Sequence, residues 1–264
     1  MRVFKLLAKN IPGLGLKLHQ AGIGDDVEYY VKKTFMSAVM VSAAIILIIF
    51  GFVKSPKVLI AMPVIFVVAF IYMLRYVDNK INGIKGHIGK EIVFAGRFLI
   101  IELESGVPMY NAFENMAKNY EHVGSFFGEI VEKVDFGTTL DEAINETIIT
   151  TPSPDLRKIL WQLLNSLKTG ADVTKSLTIV LDQIVREQQI MVTEYGRKLN
   201  PLAMFYMMIA IIIPSLGIVM LIVLGTFMGF KLTLGILSTI LILLSFIQFM
   251  FLAIIKSSRP AVDI

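Results

Sequence analysis

The chain has 264 residues, of which 55% are hydrophobic and only 17% are charged, with a formal net charge of +4 at pH 7. Because a soluble domain usually carries about 25% charged residues, this composition excludes both an ordinary cytosolic enzyme and a disordered chain. The small positive charge, without a basic cluster, predicts no binding to nucleic acid, and the absence of cysteine excludes disulfides and thiolate chemistry.

The first 33 residues have a basic start but lack the apolar core of a signal peptide. Val3, Phe4, Leu7 and Ile11 fall on one helical face, which predicts a short amphipathic helix. Such a helix lies either on an anionic membrane surface or against the rest of the protein. We expect residues 1–33 to form a cytoplasmic amphipathic segment.

Four apolar segments approach or exceed the roughly 20 residues that a membrane helix needs. None of them contains Asp, Glu, Lys, Arg or His. They cover residues 34–53, 58–74, 202–230 and 232–255. They predict two transmembrane hairpins, within 34–75 and 201–256, followed by a cytoplasmic tail at 257–264.

The positions of Lys and Arg predict how the chain is oriented in the membrane. Three of the 25 lie in the two hairpin loops, and the other 22 lie in the N-terminal segment, the central stretch and the tail. Positive residues are enriched on the cytoplasmic side, so both termini and the central stretch are predicted to be cytoplasmic. The sequence therefore indicates a multi-pass protein of the cytoplasmic (inner) membrane, in contact with the lipid bilayer.

Residues 76–200 have a soluble composition, with apolar residues at helical spacing and no strand signal. We predict six helices there, at about 76–105, 108–120, 124–135, 139–149, 155–169 and 172–200. The last is expected to stop or kink near Pro201. The predicted fold class is all-α: a polytopic membrane protein whose four transmembrane helices, in two hairpins, flank a cytoplasmic antiparallel six-helix domain.

A glycine follows three of these helices, and a helix start signal follows each glycine. Pro108 lies two residues after Gly106, and Asp172, a predicted N-cap, lies two after Gly170. Gly137 precedes Thr139, which with Glu142 predicts a capping box.

A small residue lies six positions after each glycine, which predicts that the new helix packs closely on the one just ended. The complete motif consists of Gly106, Pro108, Ala112, Gly137, Thr139, Leu140, Glu142, Ala143, Gly170 and Ser176. The alternative interpretation is three ordinary helix turns. If the six helices alternate in direction, all three glycine turns lie at the membrane-distal end of the domain.

Two patterns that resemble enzyme motifs do not meet the requirements of the chemistry. Gly22-Ile-Gly-Asp25 spells the GxGD signature of intramembrane aspartyl proteases, but Asp25 precedes the first span and no span offers a second carboxylate. Glycines at 83, 86 and 89 resemble a phosphate loop, but the spacing is wrong and no strand precedes them. Their common helical face predicts close helix packing instead.

The histidines His19, His87 and His122 are scattered in the sequence and lack carboxylates at metal-ligand spacing. We therefore expect no catalytic residue, no cofactor and no metal, and a protein that is not an enzyme. A transporter or channel subunit is the alternative, although spans without ionisable groups argue against ion-coupled transport. A GxGD-type membrane protease is the least favoured of the three.

The central stretch resembles a known family. The segments Glu104-Ser-Gly-Val-Pro-Met-Tyr-Asn-Ala-Phe113 and Phe136-Gly-Thr-Thr-Leu-Asp-Glu-Ala-Ile144 are similar to the paired glycine motifs of the type II secretion system F domain. Leu181-Asp-Gln-Ile-Val-Arg-Glu187 and Leu18-His-Gln-Ala-Gly-Ile23 also resemble that family. The likeness covers nearly the whole chain.

This resemblance implies a non-enzymatic membrane platform protein of type IV pili, type II secretion, Tad pili or archaella. Such a protein couples a cytoplasmic hexameric secretion ATPase to the extraction of pilin-like subunits and to filament assembly. Larger family members carry two F domains, whereas this chain carries one and looks most like the short Tad-type or archaeal members. We therefore expect it to pair with itself or with a sister F-domain protein, as a dimer.

The resemblance also directs attention to two candidate contact surfaces. For the ATPase we expect contacts beside the glycine turns, through Glu102, Glu104, Asp135, Thr138, Lys168 and Asp172. The alternative is that these six side chains are solvated helix caps. For the pilin we expect contacts in the second hairpin, through Pro214, Ser215 and Gly217.

Overall fold

The computed structural model of the protein describes residues 13–24, 26–53, 62–229 and 233–257. These residues form helices and no strand, which confirms the all-α class. The helices are α1 (Leu14–Gln20), α2 (Val27–Val53), α3 (Met62–Glu104), α4 (Met109–Asn119), α5 (His122–Asp135), α6 (Leu140–Thr150), α7 (Pro154–Thr169), α8 (Val173–Met207), α9 (Ile213–Met228) and α10 (Leu234–Ser257). The predicted apolar face of Val3 to Ile11, and Asp25 of the GxGD motif, lie outside the described residues.

The chain divides into two compact units, Met1–Asp182 and Gln183–Ile264. The boundary lies within α8. The first unit therefore holds α1 to α7 and the first turns of α8, and the second holds the rest of α8 together with α9 and α10.

The first unit has its main core where α3 packs with α4, α5 and α7, and where α6 packs with α5 and α7. On α3 the buried residues recur every three or four positions, as in Ile88, Ile92 and Leu99, so one face of the helix is removed from water. Phe113 of α4 and Phe127 of α5 are also buried, and their ring centroids are 5.0 Å apart. Burying each such side chain stabilises the fold by about 1.5–3 kcal/mol.

Two glycines allow the closest helix contacts in this core. A Cβ added to Gly124 of α5 would lie 2.5 Å from the main-chain oxygen of Met116 in α4. One added to Gly96 of α3 would lie 2.7 Å from Leu181 Cδ1 in α8. The sequence predicted close packing at Gly83 instead, and this is wrong, because Gly83 is exposed and no atom lies within 4 Å of its Cβ position.

A second cluster joins α1, α2 and α3. Leu14 and Leu18 of α1 are buried against Val31 of α2 and against Val77 and Ile81 of α3. Outside this cluster, Lys17 Nζ of α1 lies 2.8 Å from the carboxylate of Asp78 on α3.

The helix α3 is continuous where the sequence predicted a boundary between a span ending at 74 and a helix starting at 76. It runs without interruption from Met62 to Glu104, a length of 43 residues. No proline lies in it after Pro63, which stands in the first turn, where a missing N–H costs nothing. The sequence around residue 75 therefore offers the helix no reason to end.

Two helices in the described part of the chain are long and apolar enough to cross a membrane, Val27–Ile49 and the continuous helical stretch Val173–Met228. Leu237–Ala253 is a shorter apolar helix. In the most apolar stretch of Val173–Met228 none of the residues is buried, whereas the core helix of a soluble protein would be largely covered. Apolar side chains exposed on all sides are typical of a helix that faces lipid.

The stop predicted near Pro201 is not observed, because α8 continues through this proline to Met207. A π-helical turn at Met208–Ile212 then joins α8 to α9. The turn immediately precedes Pro214, which has no N–H to bond the carbonyl of the preceding turn, and a wider turn accommodates that loss. Within the second unit, the Tyr206 and Phe251 rings join α8 to α10 with centroids 5.8 Å apart.

Candidate functional site

The three turn glycines adopt the left-handed conformation expected of helix C-caps. Their φ angles are +83° at Gly106, +97° at Gly137 and +68° at Gly170. At Gly106 the N–H bonds the Leu103 carbonyl and the next N–H bonds the Glu102 carbonyl, and the Gly137 turn repeats both bonds. This pair of bonds defines the Schellman motif, whereas the Gly170 N–H makes a single bond, to the Ser166 carbonyl.

Two of the three predicted helix starts have the expected form. Asp172 Oδ1 accepts the N–H groups of Thr174 at 3.0 Å and of Lys175 at 3.2 Å, as an N-cap does. A hydrogen bond from the Thr174 hydroxyl, at 2.7 Å, is the main cause that lowers the pKa of Asp172. Pro108 has an extended ψ of 141° and directly precedes α4.

The capping box predicted at Thr139 and Glu142 is wrong. Thr139 precedes α6 but its side chain makes no cap bond, and Glu142 is exposed. The Thr139 side chain instead hydrogen-bonds Asp141, which also accepts backbone hydrogen bonds from the first turn. The bond from Thr139 is the main cause that lowers the pKa of Asp141. Thr139 thus interacts with Asp141 rather than forming the predicted capping box with Glu142.

The small residues behind the turns lie where the motif predicted close packing. Ala112 of α4 and Ala143 of α6 are fully buried. Ser176 of α8 is half-buried, as is Leu140 at the start of α6. Ala112 and Ala143 lie next to a buried aromatic or aliphatic residue, Phe113 and Ile144 respectively. The small side chains therefore belong to the core of the first unit.

The structure brings the Gly106 and Gly137 turns together. The Tyr110 hydroxyl, in the first turn of α4, donates a 2.6 Å hydrogen bond to Oδ1 of Asp135, the last residue of α5. This hydrogen bond is the main cause that raises the pKa of Tyr110 above its ordinary value. Lys133 of α5 in addition lies 2.9 Å from Glu146 of α6, so the two helices beside the Gly137 turn are also joined.

The third turn lies at the same end of the first unit. Lys168, two residues before Gly170, is close enough to Asp141 at the start of α6 for its charge to help lower the pKa of that carboxyl. The Gly106, Gly137 and Gly170 turns are therefore neighbours, which agrees with helices that alternate in direction. The exposed surface around them is here named the turn face, with Glu104, Asp135, Phe136, Lys168 and Asp172 as its exposed members.

The six candidate contact residues fall into two groups. Asp172 caps α8, Asp135 holds Tyr110, and half-buried Glu102 accepts a 2.9 Å hydrogen bond from Asn115 Nδ2. Thr138 is half-buried, and its N–H bonds the Lys133 carbonyl. Glu104 and Lys168 are exposed. The first four therefore have a role in the fold whatever else they contact.

Sequence reasoning missed the most exposed large side chain on the turn face. Phe136 lies between α5 and the Gly137 turn, and 83% of it is exposed to solvent. A phenyl ring left in water at a tight turn is unfavourable unless something covers it. The available signal was an aromatic residue directly before a capping glycine, where the chain turns too sharply to bury it.

The structure brings together histidines that are far apart in the sequence. The ring centroids of His87 and His122 are 4.4 Å apart, and His122 lines a cavity of about 360 Å³ together with His19. Glu91 accepts the N–H groups of His122 and Val123, at 3.0 Å each. Among the described residues, no group of three or more His, Asp and Glu side chains could hold a metal ion.

The three residues expected to contact pilin lie directly after the π-helical turn. Pro214 and Gly217 are half-buried, Ser215 is exposed, and the Ser215 hydroxyl donates to the Ile212 carbonyl at 3.1 Å. No atom lies within 4 Å of a Cβ built on Gly217. The structure thus leaves an open notch on α9 at this position.

Comparison with protein families gives one match that covers the glycine turns. Residues 97–221 match the family described as "Type II secretion system (T2SS), protein F". Comparisons with curated proteins and with solved structures give no significant match. The match begins near the end of α3 and includes all three turns, which confirms the resemblance seen in the sequence. Residues 97–221 are therefore identified as a type II secretion system F domain.

Proposed function

We propose that this protein is a non-enzymatic platform of the cytoplasmic membrane in a type IV filament or type II secretion-like machine. In this function it couples a cytoplasmic secretion ATPase to the extraction of pilin-like subunits and to filament assembly. The match of residues 97–221 to the T2SS protein F family carries the proposal. The exposed apolar helices support a membrane location.

The proposed topology has four spans in two hairpins, at 34–75 and 201–256. The long apolar helices Val27–Ile49 and Val173–Met228 support one span in each hairpin. For the other two spans we assign the start of α3 and the 24-residue helix α10. The N-terminal segment 1–33, a six-helix F domain at 76–200 and the tail 257–264 are then cytoplasmic, in agreement with the distribution of Lys and Arg.

The turn face is the proposed contact surface for the ATPase. Two of its four polar members, Asp135 and Asp172, are used within the fold, and Phe136, which is 83% exposed, is the apolar side chain with most area still to bury. Aromatic residues at the centre of an interface, surrounded by polar groups, supply a large share of binding free energy. Here Phe136 directly follows Asp135 and lies two residues before Thr138.

The experiment is co-purification of the full chain in detergent with a secretion ATPase from the same organism. We expect Phe136→Ala to weaken this complex by about tenfold or more, as the loss of a buried aromatic anchor does. The matched control is Phe94→Ala on α3, where a phenylalanine that is 64% exposed lies about 15 Å before the end of the helix.

Each result has a distinct meaning. If both variants bind the ATPase as the unchanged protein does, the turn face is not the contact surface. If the unchanged protein binds no secretion ATPase, the proposed platform function itself fails. Charge reversal at Glu104 and Lys168 tests the polar part of the same surface.

For the pilin we propose the notch formed by Pro214, Ser215 and Gly217. A π-helical turn is often found at functional positions, and the open space at Gly217 can accept a close helix. Photo-crosslinkers placed at Leu216 and, as a control, at Phe249 on α10 test this, because both side chains are exposed. Equal crosslinking to pilin from both positions would contradict the proposal.

We further propose that the protein acts as a dimer, with itself or with a sister F-domain subunit.

A further inference from the structure

The helices α6 and α7 form an antiparallel pair with an exposed outer surface. Residues 151–153 connect them, and the charge of Lys168 near the end of α7 reaches the carboxyl of Asp141 at the start of α6. On α7, Arg157, Trp161 and Lys168 are exposed at spacings of four and seven residues, so they lie on one face of the helix. This face is the outer surface of α7.

A matching row of residues is exposed on α6. Asp141, Asn145 and Ile149 follow one another at intervals of four residues, and all three are exposed. Since Asp141 lies near Lys168, the rows on α6 and α7 run side by side. Together they form one surface along the side of the first unit, which is here named the α6–α7 face. It shares Lys168 with the turn face.

Two large apolar side chains of the α6–α7 face remain in contact with water. Trp161 is 57% exposed and Ile149 is 58% exposed. Trp161 is also the only tryptophan in the chain. Tryptophan is enriched at protein interfaces, and among the residues that supply most of their binding free energy. The exposed ring therefore favours a partner that covers this face.

The charges of the α6–α7 face are divided between its two helices. The helix α6 contains three acidic residues and no Lys or Arg: Asp141, Glu142 and Glu146. The helix α7 contains three basic residues and one acidic residue: Arg157, Lys158, Lys168 and Asp155. One half of the face is therefore acidic and the other half is basic, which makes the face complementary to a rotated copy of itself.

The membrane restricts the rotations that are possible. Two copies with the same orientation in one bilayer are related by a two-fold axis along the membrane normal. The continuous α3 leads from its proposed span into the first unit, so the helices packed along it run roughly parallel to this axis. An axis in front of the α6–α7 face then lays α6 of each copy against α7 of the other, with acidic groups opposite basic groups.

The exposed apolar stripe on α3 does not fit this geometry. Phe94 and Ile101 are 64% and 62% exposed, and the exposed Arg97 lies between them. A two-fold axis in front of α3 would bring each residue to the level of the same residue in the other copy. Arg97 would then face a second arginine, and such a pairing of like charges is unfavourable.

We propose that the α6–α7 face binds the same face of a second copy of this chain. Trp161 of each copy packs on α6 of the other. Glu142 lies near Asn165 of the partner subunit, because these two residues are about 14 and 18 Å from the 151–153 connection along their helices. This inference rests on the membrane placement and the dimer proposed above, and it names the surface that joins the two copies.

The size of the α6–α7 face indicates the strength of the contact. The face is about 16–24 Å long and roughly 20 Å wide, so it covers about 400 Å² on each subunit, half of a standard interface. Such a contact is weak in solution. In a membrane both copies are held at the same level, which raises their effective concentration. The dimer is therefore best measured in membranes.

Thiol crosslinking tests this arrangement, because the chain contains no cysteine. Two differently tagged chains, Glu142→Cys and Asn165→Cys, are co-expressed in a host without other F-domain proteins. The membranes are treated with a bismaleimide about 8–10 Å long, the distance between packed helices. We expect a covalent dimer that carries both tags. In the control, Phe94→Cys replaces Asn165→Cys, and no such dimer should form.

Two further pairs of variants test the ring and the charges. Trp161→Ala in both chains should weaken the dimer by about tenfold or more, and so reduce the crosslinked fraction. Ile179→Ala on α8, where the side chain is 60% exposed outside the face, is the matched control and should not. Glu142→Lys should reduce Förster transfer between labelled copies in vesicles, whereas Glu132→Lys, exposed on α5, makes the same charge change outside the face and should not.

Three results would each overturn the inference: no dimer with both tags, equal crosslinking from Phe94→Cys, or an unchanged crosslinked fraction in Trp161→Ala. Crosslinking in native membranes to a sister F-domain protein, in place of the second copy, would overturn it as well.

The outcome can be separated from that of the platform function. Co-purification of the secretion ATPase is measured on the same chains. If the ATPase binds and no dimer with both tags forms, only the inference about the α6–α7 face fails. If the dimer forms and no ATPase binds, the platform function fails while the face remains an interface between copies.

Discussion

The Tyr110 hydroxyl and the Asp135 carboxylate, 25 residues apart in sequence, meet in a hydrogen bond of 2.6 Å. This bond joins the start of α4 to the end of α5, and so fixes the Gly106 turn beside the Gly137 turn. Phe136 follows Asp135 directly, which means that the same bond also positions the most exposed aromatic ring of the turn face. The bond therefore connects the fold of this end to its proposed contact with the ATPase.

Tyr110→Phe should weaken ATPase binding less than Phe136→Ala does, because it loosens the position of the Phe136 ring without removing that ring.

The effect of Tyr110→Phe on stability should depend on pH. The pKa of Tyr110 is raised in the folded protein, so the stabilisation is present below the unfolded value of about 10 and is lost as pH rises through the folded pKa. Thermal unfolding at pH 8 and at pH 11 checks this. If the change from pH 8 to pH 11 destabilises the Tyr110→Phe variant as much as it destabilises the unchanged protein, this prediction is contradicted.

Gly137→Ala should destabilise the protein, since φ at this position is +97° and a Cβ is strained there. The expected loss is about 1–2 kcal/mol, seen as a lower melting temperature in detergent. Gly83→Ala is the matched control, because Gly83 lies inside α3 with open space around its Cβ position. That change should stabilise the helix by about 0.5–1 kcal/mol, and equal shifts in the two variants would refute the conformational argument.

Gly124→Ala should also destabilise, but through packing. The added Cβ would meet the main-chain oxygen of Met116 at 2.5 Å, so α4 and α5 would have to move apart, at a cost of about 1–3 kcal/mol. In Gly128→Ala, on the same helix, the Cβ would lie 3.5 Å from the Ala117 Cβ, an ordinary contact. We expect Gly128→Ala to be neutral or stabilising, and a chemical denaturation series compares the two. Similar losses of stability in the two variants would show that the contact between Gly124 and Met116 does not limit how closely α4 and α5 pack.

Lys133→Met should remove the charge that pairs with Glu129 at 3.0 Å and Glu146 at 2.9 Å. Partial burial lowers the pKa of Lys133, but the hydrogen bonds to both carboxylates outweigh it, so the pKa is raised overall. Its stabilisation is therefore present below the unfolded pKa of about 10.4 and is lost at higher pH. At pH 8 we expect a loss of about 1 kcal/mol, against about 0.5 kcal/mol or less for Lys118→Met, an exposed single pair with Glu114. Equal losses of stability in the two variants would contradict a stabilising role for the pairing of Lys133 with both Glu129 and Glu146.

The glycine turns could be predicted from the sequence because their cause is local. A glycine at a helix end followed by Pro108 or Asp172 leaves few alternatives for the backbone, and the observed φ angles agree. The start of α6 is the exception. Thr139, Asp141 and Glu142 all offer capping oxygens within four positions, and the competition between them is decided by side-chain geometry that a pattern does not contain.

The packing between helices could not be predicted in the same way. Glycines at 83, 86 and 89 share a helix face, but a shared face does not ensure close packing: Gly83 has open space around its Cβ position, whereas Gly96 and Gly124 make close contacts. His87 and His122 are far apart in the chain, and their rings meet only because α3 and α5 pack together. Phe136 was missed because an apolar residue is expected to be buried until its surroundings are known.

The 43 residues of α3 form a single rod about 64 Å long, with the segment that we propose to span the membrane at one end and the Gly106 turn at the other. A loop between these ends would absorb a push as local bending, but an uninterrupted helix passes on both tilt and rotation. If the proposed platform function holds, work done by a motor on the turn face would reach the bilayer as movement of the apolar start of α3. One continuous helix would then be the rigid connection between the turn face and the membrane.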